Sequence, residues 1–116
     1  MKIKLKYDIP FIKAEASGND FLIIDNKTGA LDKMRIDFRA MAKDVCRQHM
    51  SVGADGILVL ERSDKALFKM RIINSDGSEA SMCGNGARCS VMYAAKAGWG
   101  NAFSFETGAG ILEVLS

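Results

Sequence analysis

The chain has 116 residues, 48% of them apolar and 26% charged, with a net charge of +2. Such a balance fits one soluble globular domain, and the charge is too small to argue for nucleic acid or an anionic membrane as partner. No apolar run approaches the ~18 residues that a bilayer-spanning helix needs, and the lysine-rich start, residues 1–7, lacks the apolar stretch of a secretory signal. Three cysteines, an odd number without a disulfide-like framework, fit a reducing compartment, so a cytoplasmic location is expected.

Residues 2–7 alternate Lys with Ile, Leu and Tyr, the pattern of a strand with one wet face. A strand over 11–14 is followed by the turn formers Ser17-Gly18-Asn19-Asp20. A short β-branched run over 21–24 comes next and reads as a buried strand closed by Asp25-Asn26. After a polar connection, 28–36, Asp37 is placed to cap a helix whose apolar positions are Phe38, Met41, Ala42, Val45, Cys46 and His49. Cys46 on that stripe reads as a core residue, and His49 at its end as a packed or capping group. Residues 51–56 resemble a phosphate loop only superficially, since no Gly-Lys-Ser/Thr follows. A further buried strand is expected over 57–60, and another over 68–73.

The stretch from Asn74 to Cys89 is the focus of the chain. Ser-Asp-Gly-Ser after Asn74 makes a turn. Cys83 then stands directly before Gly84-Asn85-Gly86. From there Ala87, Val91, Ala94 and Ala95 recur at helical spacing, and Gly98 is a C-terminal stop. Cys83 is therefore expected at the N-terminus of a helix running to about residue 97. The first backbone N–H groups of a helix have no intrahelical partner, and the macrodipole adds roughly half a positive charge there. A thiol so placed has its thiolate favoured. The amides of Gly84 and Asn85 can cradle a small anion such as a carboxylate, and glycines at 84 and 86 allow its close approach. The same residues also read as a turn before an ordinary helix with an inert, buried cysteine. By themselves they leave both readings open.

Two sharper readings fail. Gly84-Asn85-Gly86-Ala87-Arg88-Cys89 begins like a dinucleotide-binding fingerprint, but Cys replaces the third glycine and a long turn separates it from the preceding strand. Cys83 and Cys89 are also poor metal co-ligands. Six residues of helix rotate by about 600°, leaving the two roughly 240° apart, so no metal is expected. Beyond the helix, 98–101 is a loop. Strands over 102–107 and 111–115 are joined by Gly108-Ala109-Gly110 as a hairpin.

Asn74-x-Asp-Gly-Ser-Glu-Ala-x-Met-Cys-Gly-Asn-Gly-Ala-Arg-Cys resembles the first catalytic motif of the diaminopimelate epimerase family. Phe-x-Lys-(x)4-Gly-Asn-Asp-Phe, beginning at Phe11, is similar to that family's opening signature. The segment around Gly53 and Asp55 and the Phe-x-x-Glu-Thr-x-x-Gly of the last hairpin are similar too, so four motifs occur in order over residues 11–115. Residues 1–10 look like an N-terminal extension. One departure stands out: some members carry a substrate-touching Gln where this chain has Gly56.

The resemblance implies inversion of an amino-acid α-carbon without pyridoxal phosphate, metal or other cofactor. Two cysteines on opposite faces of that carbon move the proton. It implies Cys83 as one acid/base, Gly84 and Asn85 as carboxylate binders, and Asn19 and Asn74 as polar substrate contacts. The family's second cysteine lies in a C-terminal domain, so residues 11–116 are expected to be the N-terminal domain alone and, by themselves, inactive. The implied partners are diaminopimelate and the missing C-terminal domain of the same protein, with room for a homodimer and none implied for nucleic acid or membrane. The implied fold is α+β, a curved mixed β-sheet wrapped around a central α-helix, the 84–97 segment. Two rivals remain: a related cofactor-independent racemase acting on another amino acid such as histidine, and a non-catalytic domain binding a small amino acid or a partner through the same amides.

Overall fold

The structure, a computed structural model, describes residues 2–3, 9–46, 54–100 and 102–115. His49, the loop residues 51–53 and most of the alternating 2–7 segment lie outside the described residues. Chain order is β1 (Lys2–Ile3), β2 (Ile9–Pro10), β3 (Ile12–Ala16), β4 (Asn19–Asn26), α1 (Phe38–Val45), β5 (Gly56–Glu61), β6 (Phe68–Asn74), β7 (Glu79–Ala80), α2 (Gly84–Lys96), β8 (Ala102–Thr107) and β9 (Gly110–Leu115). The polar connection before α1 contains one turn of 3-10 helix, Asp32–Met34. No helix among the described residues is long and apolar enough to cross a membrane.

β1 and β2 form a small antiparallel pair. The main sheet runs β3-β4-β5-β6-β8-β9, with β7 added beside β6. It is mixed: β4 and β5 are parallel, as are β6 and β8, and the remaining pairs are antiparallel. Each parallel pair is bridged by a helix, α1 between β4 and β5 and α2 between β6 and β8. Because β6 runs opposite to β4, right-handed crossovers stepping the same way across the sheet must place the two helices on opposite faces. The core divides in that way. Leu22, Ile24, Ile57, Val59 and Ile73 pack with Phe38, Met41, Ala42 and Val45 of α1. Phe21, Ile23, Leu58, Leu60, Phe68, Met70, Ile72 and Phe105 pack with Cys89 and Ala94 of α2.

A strand covered on both faces needs apolar residues at every position, which is why 21–24 and 57–60 are unbroken apolar runs. α2 lies across β3, β4, β5 and β6, and Leu112 and Val114 of β9 extend the apolar cluster on that face. Phe68 and Phe105 stack in parallel, 5.1 Å between centroids, where β6 meets β8.

Both helices end as their sequences dictate. Asp37 accepts hydrogen bonds from the N–H groups of Arg39 and Ala40, each 3.1 Å, and so caps α1. Cys46 closes that helix and is buried, the core residue its stripe implied. At the end of α2, Gly98 has φ of 81°, its N–H reaches Ala95 O, and Trp99 N–H reaches Ala94 O. These two bonds are a Schellman closure. The accompanying apolar contact is Trp99 edge-on to Tyr93, 5.7 Å between centroids.

The packed face of α2 differs from the expected stripe. The buried residues are Gly86, Cys89, Ser90 and Ala94, while Ala95 is exposed and Ala87 and Val91 only half-buried. A Cβ on Gly86 would lie 3.1 Å from Leu58 Cδ2. The helix approaches the sheet so closely that its smallest residues, not its most apolar ones, face inward.

Candidate active site

The pairing register collects one end of the sheet. Phe21 near the start of β4 pairs with Gly56 at the start of β5, which pairs in turn with Asn74 at the end of β6. Side chains alternate along strands. Asn19 therefore shares the α2-facing side with Phe21 and Ile23, Gly56 shares it with Leu58, and Asn74 with Ile72. The chain leaving β6 turns back through β7 and starts α2 over this same end.

Cys83 is the residue that begins α2. Its backbone is extended, with φ of −152° and ψ of 121°, and its carbonyl accepts the first helical hydrogen bond, from Ala87 N–H at 2.9 Å. The Gly86 N–H points at its sulfur, with N and Sγ 3.5 Å apart. The thiol thus occupies the N-cap position usually taken by Ser, Thr or Asp. Asn85, in the same first turn, donates from Nδ2 to Asn19 Oδ1 at 2.6 Å. Of the expected site residues, Cys83, Gly84, Asn85 and Asn19 therefore form one group. Asn74 lies at the same end, on the same side of the sheet, but its side chain is engaged in its own turn, where Nδ2 donates to Ser78 Oγ at 3.0 Å.

Gly84 and Gly86 play different parts. Gly86 is needed by packing. At Gly84 a Cβ would meet nothing within 4 Å, and the residue is exposed. Among the described residues nothing demands a glycine there, and the space above the first turn of α2 is open. The described cleft along α2, about 470 Å³ and lined by Ala14, Cys89, Met92 and Tyr93 among others, runs down the helix flank away from Cys83. Cys83 and Asn85 are half-buried and Gly84 is exposed.

Three supports for this face were not legible beforehand. Arg71 on β6 forks onto Glu79 of β7, with Nε and Nη2 each 2.9 Å from a carboxylate oxygen. That hydrogen-bonded pairing holds the Glu79 carboxyl below its ordinary range and fixes the return strand leading to Cys83. The β8–β9 turn abuts the same segment: Ala109 N–H donates to Ser81 O at 3.2 Å, and a Cβ on Gly108 would come within 2.9 Å of Ser81 Cα. Asp20 N–H donates to Asp55 Oδ2 at 2.7 Å, tying the start of β4 to the entry of β5. The last two depend on contacts between residues remote in sequence, and the first on the cross-strand register of β6 with β7.

The other two described thiols are unlike Cys83. Cys46 and Cys89 are 4% and 2% exposed, whereas Cys83 is half-buried. Burial, reinforced by the nearby Asp55 charge, pushes the Cys46 thiol up to about 11. Burial likewise raises Cys89, against a smaller lowering by Arg88.

Solved structures show the class first. The chain superposes on a phenazine biosynthesis protein of the PhzF family from Bacillus anthracis with a TM-score of 0.62 and 21% identity, over 90% of this chain and 33% of that one. A PhzF-family protein from Enterococcus faecalis gives 0.57 and 13%, over 89% and 36%. At such identities the likeness defines the fold alone, a mixed α+β domain of that architecture. Sequence narrows the class. The family model described as diaminopimelate epimerase matches residues 11–115, and the chain belongs to that family. It is 45% identical over 108 residues to the diaminopimelate epimerase of Methanocella arvoryzae, covering 91% of this chain and 38% of that protein. To that of Aquifex aeolicus it is 41% identical over 111 residues, covering 89% and 39%. The chain thus spans well under half the length of these relatives.

Proposed function

We propose that this chain is the N-terminal domain of a cofactor-independent amino-acid epimerase that interconverts LL- and meso-diaminopimelate. Cys83 is one of its two proton carriers. The observation that carries this reading is the juxtaposition at the start of α2. A half-buried thiol caps the helix, a polar amide pair flanks it, and a glycine with open space above it begins a first turn whose Gly84 and Asn85 N–H groups have no partner among the described residues.

In the proposed chemistry the substrate carboxylate lies on the N–H groups of Gly84 and Asn85, and Asn19 and Asn74 contact the polar groups of the substrate. Cys83, as thiolate, takes the α-proton. The C–H bond breaks, its electron pair delocalises toward the carboxylate, and the proton ends on Sγ. A thiol on the far side gives its own proton to the α-carbon and inverts it; in the reverse direction the two exchange roles. An α-proton is barely acidic, so donors aimed at the carboxylate, where charge grows in the transition state, must supply much of the rate. The second thiol, the opposite wall of the cleft and the exclusion of water belong to a C-terminal domain. Cys46 and Cys89 are too buried to take that part.

Gly56 favours a second reading, a racemase of this family acting on another amino acid. It pairs with Phe21 on one side and Asn74 on the other at the site end of the sheet; as a glycine it offers the substrate no side chain, and a Cβ there would sit 2.8 Å from Ile73 O. Product analysis with the full-length protein on diaminopimelate, histidine and several other amino acids tests both readings. Inversion of diaminopimelate with little turnover of the others is the expected result. Selective turnover of another amino acid would replace diaminopimelate as substrate, and inversion of none would leave a non-catalytic binding domain.

A further inference from the structure

The turn between β3 and β4 breaks a local rule. Ala16 and Asn19 pair across it, leaving Ser17 and Gly18 as a two-residue loop with φ of 52° and 87°. Positive φ at both central positions favours Asn-Gly or Gly-Gly, and serine at the first is a strained choice. Packing does not call for it, because Ser17 is exposed. Its hydroxyl does have a partner: Arg88 Nη1 donates to Ser17 Oγ at 3.2 Å. Arg88 stands three residues after Asn85, on the same flank of α2. Two hairpin residues therefore meet two helix residues, Ser17 with Arg88 and Asn19 with Asn85.

We propose that Arg88 is a positioning residue. By clasping Ser17 it holds the strained turn against the first turn of α2 and so fixes the Asn19 amide beside Asn85, an inference that rests on reading these two asparagines as substrate contacts. The clasp is one exposed hydrogen bond. Its loss leaves the fold intact and loosens only the aim of Asn19, a contact made already in the ground state. Substrate binding suffers and the chemical step does not.

The test has two arms. In the 116-residue chain, side-chain amide NMR should show the Asn85 NH2 signals of Arg88→Met moving toward the positions of solvent-exposed amides. Adding Ser17→Asn, which makes the favoured Asn-Gly turn, should move them back. In the full-length protein Arg88→Met should raise KM about 3- to 10-fold, the effect of one hydrogen bond, with kcat within about twofold. Ser17→Asn in that background should restore KM. A KM defect that Ser17→Asn does not repair would mean that Arg88 meets the substrate itself, and would overturn the proposal. So would unchanged Asn85 signals. Were the full-length protein to lack epimerase activity, the proposed function would fail, and the NMR arm would still decide the clasp.

Discussion

At the scale of single residues, three thiols of one chain occupy three environments, and their reactivity should follow. Cys83 at its helix start is partly open to solvent, while Cys46 and Cys89 are closed in and held protonated. Brief treatment of the folded chain with limiting iodoacetamide at neutral pH should label Cys83 first by peptide mapping. Equal labelling of all three would contradict the site geometry. Burial of Cys46 also makes stability depend on pH. Its thiol is raised in the fold from 9.0 to about 11, so its contribution is fully present below pH 9 and is lost as pH rises toward 11, by up to about 3 kcal/mol. Tyr93, raised by burial from 10.0 to about 12, adds the same trend one unit higher. Denaturant titrations at pH 7, 9 and 10 should therefore show falling stability, with a shallower fall in Cys46→Ala. Identical slopes in the two proteins would remove Cys46 as the cause. The sequence marked Cys46 as core and Cys83 as special because each sits in a local pattern. Asn26 carried no such mark: it is buried and satisfied by Leu31 N–H and Asp32, a loop contact that no periodicity announces.

Among the elements, α2 was the most legible. Its start before Gly84 and its stop at Gly98 are written in local chemistry, a capping position at one end and a residue free to take positive φ at the other. Its inward face differs from the apolar stripe, because close approach to Leu58 selects small residues and a hydrophobic stripe weights large ones. The return strand β7 is not legible because two residues carry no period, and its anchor, Arg71 on Glu79, is a side-chain pair that exists only once β7 folds back on β6. The two glycines of the helix start separate packing from function. Gly86→Ala forces a methyl group against the fully buried Leu58 and should destabilise the domain by about 1 kcal/mol. Gly84→Ala meets no atom of the described residues and should leave stability unchanged or raise it by up to about 1 kcal/mol, while the full-length protein should lose most of its activity because the methyl group would intrude on the proposed carboxylate position. Denaturant unfolding of both variants, with turnover of the second, checks this. A stable, fully active Gly84→Ala would mean that the space above α2 is not the substrate's.

At the scale of the whole molecule, the unbroken apolar runs mark 21–24 and 57–60 as buried strands, and the structure covers them on both faces, with α1 on one and α2 on the other. The strand order, by contrast, arises from how the two crossovers step across the sheet, and composition does not encode it. Among the described residues the outer strands β3 and β9 each leave one edge without a partner in the main sheet, and Ile12 and Ile111 on them are 50% and 48% exposed. Together with the greater length of the relatives, these edges suit the proposal that the domain works against a second one. The central claim is that Cys83 carries one of the two protons. The most direct test incubates LL-diaminopimelate in heavy water with the full-length protein and with its Cys83→Ala variant, following both the meso product and deuterium at the α-carbon. The wild type should invert the substrate with solvent deuterium in the product, and the variant should keep its fold by circular dichroism and form no meso product. Inversion by Cys83→Ala at a rate near that of the wild type would contradict the two-cysteine mechanism and the role of this site.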